Sequence, residues 1–209
     1  MPEIYPIVQT VTKLTFGADP EIFLTLDGHV VGSERTIPAE GLHTSYCELF
    51  QGQASVIQDG VQAELTLSPS KCRQYMVLEI QNAFRMLQKH LAADPMRQFK
   101  VCFRQVVDVD MVELISLTPI NRQLGCMPSF NWYDHGATIS VDPATYTKRS
   151  AGGHIHLGLP EHLMSERERL PPLLDVLLGN TSVLSDRDSG AAERRKVYGR
   201  AGEFRTPRH

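Results

Sequence analysis

The residues Ala54-Ser-Val-Ile-Gln-Asp-Gly-Val-Gln-Ala-Glu-Leu-Thr-Leu67 give the clearest indication of the fold. Two arms of strand-forming residues flank Asp59-Gly60, a dipeptide typical of tight hairpin turns. In the second arm, one face would carry Val61, Ala63, Leu65 and Leu67, and the other Gln62, Glu64 and Thr66. Because successive strand residues point to opposite faces, the segment predicts an antiparallel hairpin with one buried face. Its polar face either lies in solvent or lines a site.

The residues before this segment predict a second hairpin. Val11 to Phe16 alternates apolar and polar residues and predicts a strand, which residues 17–20 interrupt. Glu21 to Leu26 predicts another strand, Asp27-Gly28 a turn, and residues 29–31 the return strand. The irregular stretch from 32 to 52 is long for a plain connection and is typical of a functional loop.

Two helices are predicted after the central hairpin. Ser68-Pro69 is a typical helix start, and apolar residues recur at helical spacing until Asp94-Pro95 ends the pattern. This long helix is expected to cover one face of the sheet. A second helix is predicted over Leu170 to Leu184, with a buried stripe formed by Leu173, Leu174, Leu177 and Leu178.

The remaining elements complete an α+β pattern. Further strands are predicted at Phe99–Phe103 and Val106–Ile115, and a loop that frames a pocket at residues 124–133. Since hairpins dominate, we expect a mixed or antiparallel sheet with helices packed on one face. No Gly-rich turn follows a strand in the Rossmann or P-loop manner, which argues against both nucleotide-binding folds.

Length and composition indicate one soluble globular domain. The chain has 209 residues, of which 42% are hydrophobic and 22% charged, and its net charge of -3 gives no general attraction to nucleic acid or anionic membranes. The four cysteines form no CxxC pair, so we expect reduced thiols in a cytoplasmic protein. No signal peptide and no apolar run of roughly 20 residues, the length of a membrane span, is visible.

Two histidines lie at alternate positions in Arg149-Ser-Ala-Gly-Gly-His-Ile-His-Leu-Gly158. On a strand, His154 and His156 would point to the same face. Such a pair can ligate a metal, or one can ligate while the other meets a phosphate or carboxylate. The alternative is a buried strand whose histidines are simply hydrogen-bonded.

Carboxylates at predicted strand positions form a second group of candidates. Asp19 and Glu21 flank Pro20, and Glu64 lies on the polar face of the central hairpin. Carboxylates close to a core are costly unless they meet cations, and hard oxygen ligands suit magnesium or manganese. Each of them could instead be an ordinary solvent-exposed residue.

The C-terminal segment is strongly basic. It contains Arg194, Arg195, Lys196, Arg200, Arg205 and Arg208, interleaved with Tyr198, glycines, Glu203 and Phe204. Arginine recognises phosphate oxygens in pairs. The alternation in the segment favours a folded element that faces phosphate, whereas a solvated tail or an RNA contact is the alternative.

Five motifs together resemble a known family. They are Gly17-Ala-Asp-Pro-Glu21, Asp59-Gly-Val-Gln-Ala-Glu64, Leu124-Gly-Cys126, Gly152-Gly-His-Ile-His156 and Arg194-Arg-x-x-Tyr-Gly-Arg-Ala-Gly-Glu-Phe-Arg205, in this order. The set resembles the phage-associated COOH–NH2 ligases, the amidoligase type 2 proteins of phiEco32-like viruses. These belong with the glutamine synthetase and glutamate–cysteine ligase superfamily, and the resemblance covers about residues 14 to 207.

The resemblance implies a curved, mostly antiparallel sheet with helices on its outer face and ATP bound over Mg2+ or Mn2+ ions. The enzyme would join a carboxylate to an amine through an acyl phosphate, acting on a peptide, amino acid or cell-wall fragment in the cytoplasm, or in the host cytoplasm if phage-encoded. Its metal ligands would be Glu21, Glu64 and one of the two histidines, with His154 assigned to the metal and His156 to the nucleotide. Phosphate contacts would come from Arg195, Arg200 and Arg205. Glu203 would ligate metal or orient an arginine, and catalysis would rest on Arg195, Glu203 and Arg205.

Some departures from the family leave other functions open. Met127 and Ser129 replace acidic residues, Thr66 stands where Asn is common, and the family continues with a strand carrying Glu-x-Arg, whereas this chain ends at His209. We therefore expect one amidoligase-like domain over residues 1–209 that lacks the final strand. A non-catalytic nucleotide-binding relative, a His-x-His metal-dependent hydrolase and an RNA-binding protein are the alternatives.

Overall fold

The computed structural model describes residues 14–48, 52–124, 130–134, 141–143 and 145–205. Their strands are β1 Thr15–Ala18, β2 Glu21–Leu26, β3 His29–Val31, β4 Leu42–His43, β5 Ser55–Asp59, β6 Gln62–Thr66, β7 Phe99–Cys102, β8 Val106–Asp108, β9 Phe130–Asn131, β10 Lys148–Ser150, β11 Ile155–Gly158 and β12 Glu203–Phe204. The α-helices are α1 Arg73–Ala92, α2 Met111–Ser116, α3 Leu170–Leu174, α4 Asn180–Ser185 and α5 Gly190–Arg194. Short 3-10 helices cover Ser33–Arg35 and Glu161–Arg169, and a π-helical turn at Asp175–Gly179 joins α3 to α4. Within these ranges, no helix is long and apolar enough to cross a lipid bilayer.

A six-stranded sheet forms the centre of the fold. Its order is β3-β2-β6-β5-β4, and β7 also pairs with β2. Three two-stranded sheets accompany it: β1 with β11, β8 with β10, and β9 with β12. Every strand pair in the described ranges is antiparallel. The described part of the chain is therefore a mixed α+β structure built on antiparallel sheets and helices, as the sequence predicted at this level.

Helix α1 covers one face of the central sheet. Its buried residues Ala83, Leu87 and Leu91 share one apolar core with strand residues such as Ile22 and Leu65. These strand positions are the apolar halves of the period-two pattern, so the opposite halves, including Glu21 and Glu64, face away from α1. The hairpin pattern thus decides which face of the sheet is free to carry a site.

A second, smaller core lies beside the other face. It joins Phe23 of β2 and Val61 of the hairpin turn to residues of β8, α2 and the segments around them: Val107, Val109, Leu114, Leu117 and Ala151. These elements cover only part of the polar face of the sheet, because Glu64 remains partly exposed. The polar residues of the sheet therefore have the α1 core behind them, across the sheet, and the smaller core beside them on their own face.

Most of the predicted strands are confirmed with small shifts. The strands β2, β3 and β7 lie where expected, and the central hairpin turns at Gly60-Val61, one residue later than Asp59-Gly60 predicts. The first strand is β1 at Thr15–Ala18, and the earlier part of the predicted Val11–Phe16 strand lies outside the described residues.

Two predictions of secondary structure were wrong. Helix α1 begins at Arg73 rather than after Ser68, because the Ser68 hydroxyl bonds to the backbone of Gln53 and Ser70 bridges to Phe16, which keeps this segment extended. The predicted strand Val106–Ile115 ends at Asp108, since the Asp110 side chain accepts a hydrogen bond from the Val112 N–H and so caps α2.

The helical prediction for Leu170–Leu184 holds, but its buried stripe was wrong. Leu173, Leu177 and Leu178 are 51%, 58% and 41% exposed, and Leu174 is only half-buried. Helical periodicity identified the element correctly. It could not identify a covering partner, and the described residues supply none for these three side chains.

Truncating the core at α1 should cost substantial stability. Leu87 is fully buried, so we expect Leu87→Ala to lower the free energy of unfolding by about 3 kcal/mol through lost burial and the cavity left behind. Leu78 lies on the same helix but is 39% exposed, so Leu78→Ala is the matched control and should lower the free energy of unfolding by well under half as much. Equal losses in urea denaturation would show that α1 does not pack as described.

Candidate active site

Three carboxylates converge on the polar face of the central sheet. Glu21 of β2 is paired directly with Glu64 of β6. Asp59 is paired with Gln62. Gln62 and Glu64 are alternate residues of β6 and therefore share a face. Glu21, Asp59 and Glu64 each offer an oxygen within 4.8 Å of the others, and we call these three residues the acidic cluster.

The environment of the acidic cluster disfavours three negative charges. Burial raises the pKa of Glu64 to about 7, and the charges of Asp59, Asp19 and Glu21 add to this shift. Burial also raises the pKa of Glu21, although the Gly152 N–H opposes the shift by donating to Glu21 Oε2 at 2.8 Å. The pKa of Asp59 is raised by burial and by Asp19. At neutral pH, a bound cation or proton would therefore stabilise the cluster by reducing the repulsion between its carboxylates.

The donor set fits a hard divalent cation. Carboxylate oxygens are the ligands that Mg2+ and Mn2+ prefer. The Gln62 side chain shares the face of the cluster, its Nε2 donates to the Ser150 carbonyl at 2.7 Å, and its residue is only 3% exposed. Its Oε1 is buried and has no hydrogen-bond partner among the described residues. A neutral oxygen donor thus lies on the same strand face as Glu64.

The two histidines meet at Asp19 beside this cluster. Strand β1 pairs with β11 so that Gly17 lies opposite His156. Asp19 is the residue that follows the end of β1. The Asp19 carboxylate lies 3.1 Å from His154 Nδ1 and 2.9 Å from His156 Nε2. The ring centroids are 6.2 Å apart, which confirms that the two rings lie close together, although His154 precedes the strand β11.

Hydrogen bonds give Asp19 an unusually acidic carboxyl group. Burial alone would raise its pKa, but the hydrogen bonds from His154 and His156 outweigh burial and lower the pKa to about 2. The side chains of Asp19 and His154 are 13% and 22% exposed, whereas that of His156 is 61% exposed, so only the bond to His154 is largely shielded from water. Asp19 therefore holds both imidazoles in place as a permanently charged acceptor at neutral pH.

His154 is also in contact with the C-terminal segment. Its Nε2 lies 2.5 Å from the Tyr198 hydroxyl, and the Arg205 guanidinium contacts the same ring. His154 is not one of the three residues whose ligand atoms converge in the acidic cluster. Of the three predicted metal ligands, Glu21 and Glu64 are brought together directly, whereas His154 lies in the neighbouring network around Asp19.

The other predicted arginines have acidic partners. Arg200 Nε donates to Glu203 Oε1 at 3.0 Å, and the opposite Glu203 oxygen accepts the Gly199 N–H at 2.6 Å. Arg195 lies 3.8 Å from the Asp186 carboxylate. Glu203 therefore orients an arginine and a backbone turn, which is one of the two roles predicted for it.

Sequence reasoning missed several members of the site. Asp59 was interpreted as a turn residue, and it joins the polar face because the hairpin turns at Gly60-Val61, which pairs Asp59 with Gln62. Tyr198 and Arg194 were treated as parts of a basic segment without individual roles. Residues 125–129 of the predicted pocket-framing loop, including Cys126, lie outside the described residues, and Phe130–Asn131 form β9 rather than a loop.

Comparison of the chain with protein-family models, curated proteins and solved structures gives no match.

Removing the charge at Asp19 should weaken the protein in a pH-dependent way. A carboxyl whose pKa is lowered by folding stabilises the native state above its unfolded pKa of 3.8, and this contribution disappears as the pH falls towards 2. We expect Asp19→Asn to lose about 2 kcal/mol at pH 7 and progressively less between pH 4 and pH 2. A deficit that stayed constant over this range in urea denaturation would contradict the assigned hydrogen bonds.

Proposed function

We propose that the protein is an ATP-dependent carboxylate–amine ligase with a glutamine synthetase-like catalytic fold, the function implied by the resemblance of its motifs. One observation carries the proposal. One buried and two partly buried carboxylates converge on one sheet face, and the positive charges of Arg194 and Arg205 act on Glu21 and Asp59 of this cluster. An acidic cation site adjoining guanidinium groups suits the binding and transfer of a phosphoryl group.

The proposed reaction has two steps. The γ-phosphoryl group of ATP is transferred to an oxygen of the substrate carboxylate, which gives an acyl phosphate and ADP. The amine then attacks the acyl carbon, the C–N bond forms, and phosphate leaves while the amine loses a proton. Bound Mg2+ or Mn2+ would supply positive charge to the phosphate oxygens. We expect the enzyme to act in the cytoplasm, where ATP and magnesium are available.

The residues of the site have distinct proposed roles. Glu21, Asp59 and Glu64 would hold the cation, and Arg205 would contact phosphate from its place on His154. Glu203 would keep Arg200 oriented towards the nucleotide. Such preorganised donors favour the transition state because they need no rearrangement as charge develops.

Nucleotide binding tests the proposal directly. We expect a non-hydrolysable ATP analogue to bind only with Mg2+, and Glu64→Ala to abolish binding while the protein remains folded by circular dichroism. Glu161→Ala, which removes an exposed carboxylate outside the cluster, is the matched control and should bind as the wild type does. Calorimetric titration that showed no Mg2+-dependent binding to folded wild-type protein would contradict the proposal.

A non-catalytic nucleotide-binding relative is the second candidate. It is favoured by the ion pairs of Arg195 with Asp186 and of Arg200 with Glu203, since these bonds occupy two arginines assigned to phosphate. Such a protein would bind the analogue but release no ADP from ATP with any mixture of acids and amines. ADP release that depends on both a carboxylate and an amine would exclude it.

A further inference from the structure

The guanidinium of Arg194 lies in a narrow slot beside the acidic cluster. Arg194 is the last residue of α5, and its Cζ lies 5.1 Å from the centre of the Tyr198 ring. Gly152 and Gly199 form the other walls of the slot. A side chain this long loses considerable rotational freedom when it is held on several sides, so the arrangement fixes where its N–H groups point.

The guanidinium of Arg194 occupies the space that a side chain at Gly152 would need. A Cβ atom added at Gly152 would meet Arg194 Nη2, and would lie 2.5 Å from its Cζ and 2.8 Å from its Nε. The backbone of Gly152 is not in the left-handed region that favours glycine, unlike that of Gly199, whose φ is +72°. A side chain at position 152 would therefore require the guanidinium of Arg194 to move.

Arg194 differs from its basic neighbours in its partners. Arg195, Lys196 and Arg200 each have a carboxylate within 4.0 Å, and Arg205 contacts His154. In the described part of the chain, the buried Nε of Arg194 has no hydrogen-bond partner, and no carboxylate forms an ion pair with its guanidinium. A buried Nε–H without a partner is costly unless a ligand satisfies it.

The slot also places Arg194 next to a member of the acidic cluster. The backbone of Gly152, against which the guanidinium packs, forms two hydrogen bonds with Glu21. The Gly152 N–H donates to Glu21 Oε2, and the Gly152 carbonyl accepts the Glu21 N–H at 3.0 Å. Burial is the main cause of the raised pKa of Glu21, and the charge of Arg194 acts against it. The guanidinium of Arg194 would thus lie near a cation bound by the cluster.

We propose that Arg194 is the oxyanion-binding residue of this site, holding a phosphate or carboxylate group of a ligand beside the cation of the acidic cluster. This inference rests on the proposed function for its cation but not for the identity of the ligand. The planar fork of arginine binds either oxyanion through paired N–H groups. The two sources are a phosphate of the nucleotide and the carboxylate of the substrate.

A double-mutant cycle tests the slot without any ligand. Gly152→Ala is expected to lower the melting temperature by about 5 °C because its methyl group displaces the guanidinium. In the Arg194→Ala background, the same substitution should have a much smaller effect, since the atoms that the methyl group would meet are gone. Equal shifts in the two backgrounds would overturn the slot and with it the proposal.

Ligand titrations then test the function of Arg194. The probes are the non-hydrolysable ATP analogue, inorganic phosphate and acetate, each with Mg2+, titrated into wild type, Arg194→Gln and Arg194→Lys. Lys196→Gln, which removes a positive charge from an exposed side chain two residues away, is the matched control. We expect Arg194→Gln to raise the Kd for at least one oxyanion about tenfold to a hundredfold, Arg194→Lys to fall between, and Lys196→Gln to match wild type.

The pattern of losses identifies the source of the oxyanion. Weaker binding of the analogue and of inorganic phosphate assigns Arg194 to the nucleotide, whereas weaker binding of acetate alone assigns it to the substrate carboxylate. Unchanged Kd values in Arg194→Gln would overturn this inference while leaving the ligase proposal standing. Phosphate binding that depends on Arg194 without any nucleotide binding would support this inference and contradict the ligase. No binding of any probe to wild type would overturn both.

Discussion

Glu64→Gln should stabilise the metal-free protein at pH 8 by roughly 2 kcal/mol, a value reduced to allow for the partial exposure of the side chain. Burial and the neighbouring carboxylates raise the pKa of Glu64 to about 7, from 4.5 for an ordinary glutamate. A carboxyl whose pKa is raised by folding reduces stability as the pH rises from 4.5 to 7. Glutamine has the same shape without the charge, so its advantage should disappear below pH 4.5.

Magnesium should reverse this order. A bound cation would stabilise wild type by mass action, whereas Glu64→Gln has lost one of the ligands and should respond weakly. Thermal unfolding at pH 8 with and without Mg2+ measures both effects, and Glu161→Gln serves as the exposed control. The stability difference between Glu64→Gln and wild type should be larger at pH 8 than at pH 5. If it were the same at both pH values, Glu64 would not be in the crowded environment described.

Arg149→Met is expected to destabilise the protein by about 4 kcal/mol, because it removes a buried charge that several backbone carbonyls depend on. Arg149 is 1% exposed, and its guanidinium donates to the carbonyls of Tyr146, Lys148, Arg122 and Pro143. Burial lowers its pKa, which is the sign of a charge held without much water. Methionine would fill part of the volume but leave these carbonyls unsatisfied.

The matched control for Arg149 is Arg97→Met. Arg97 is 62% exposed and forms an ion pair with Asp94 at 3.7 Å, so its loss should change the free energy of unfolding by less than about 0.5 kcal/mol. Urea denaturation of both variants gives the comparison. If Arg149→Met were as stable as Arg97→Met, the four carbonyls would not depend on the guanidinium.

The fold was predictable wherever its signals were local. The turn at Asp27-Gly28 and the alternation around Glu64 identified two hairpins, because both turn chemistry and strand period are properties of adjacent residues. The segment from Val106 to Ile115 failed for the opposite reason. A run of apolar residues suits a strand or a helix, and the Asp110 cap that decides between them was not weighed.

The site was predictable in its composition and less so in its geometry. Glu21 and Glu64 were correctly assigned to strands, but they are more than 40 positions apart in the chain and their direct pairing depends on the register between β2 and β6. The same holds for Asp19 and His154, which meet through the pairing of β1 with β11. Residue types suggested the chemistry, whereas only the long-range pairing showed which side chains share it.

The pairing of Glu21 with Glu64 has a consequence for the kinds of change that the chain can accept. Since strand residues alternate between two faces, one residue inserted between Gly60 and Glu64 would turn the rest of β6 over. Glu64 would then point towards α1, and the residue before it, Ala63 or the inserted one, would take its place among the carboxylates. The chain should therefore tolerate many substitutions in this hairpin, but an insertion or deletion of a single residue there should abolish cation binding and the α1 core together.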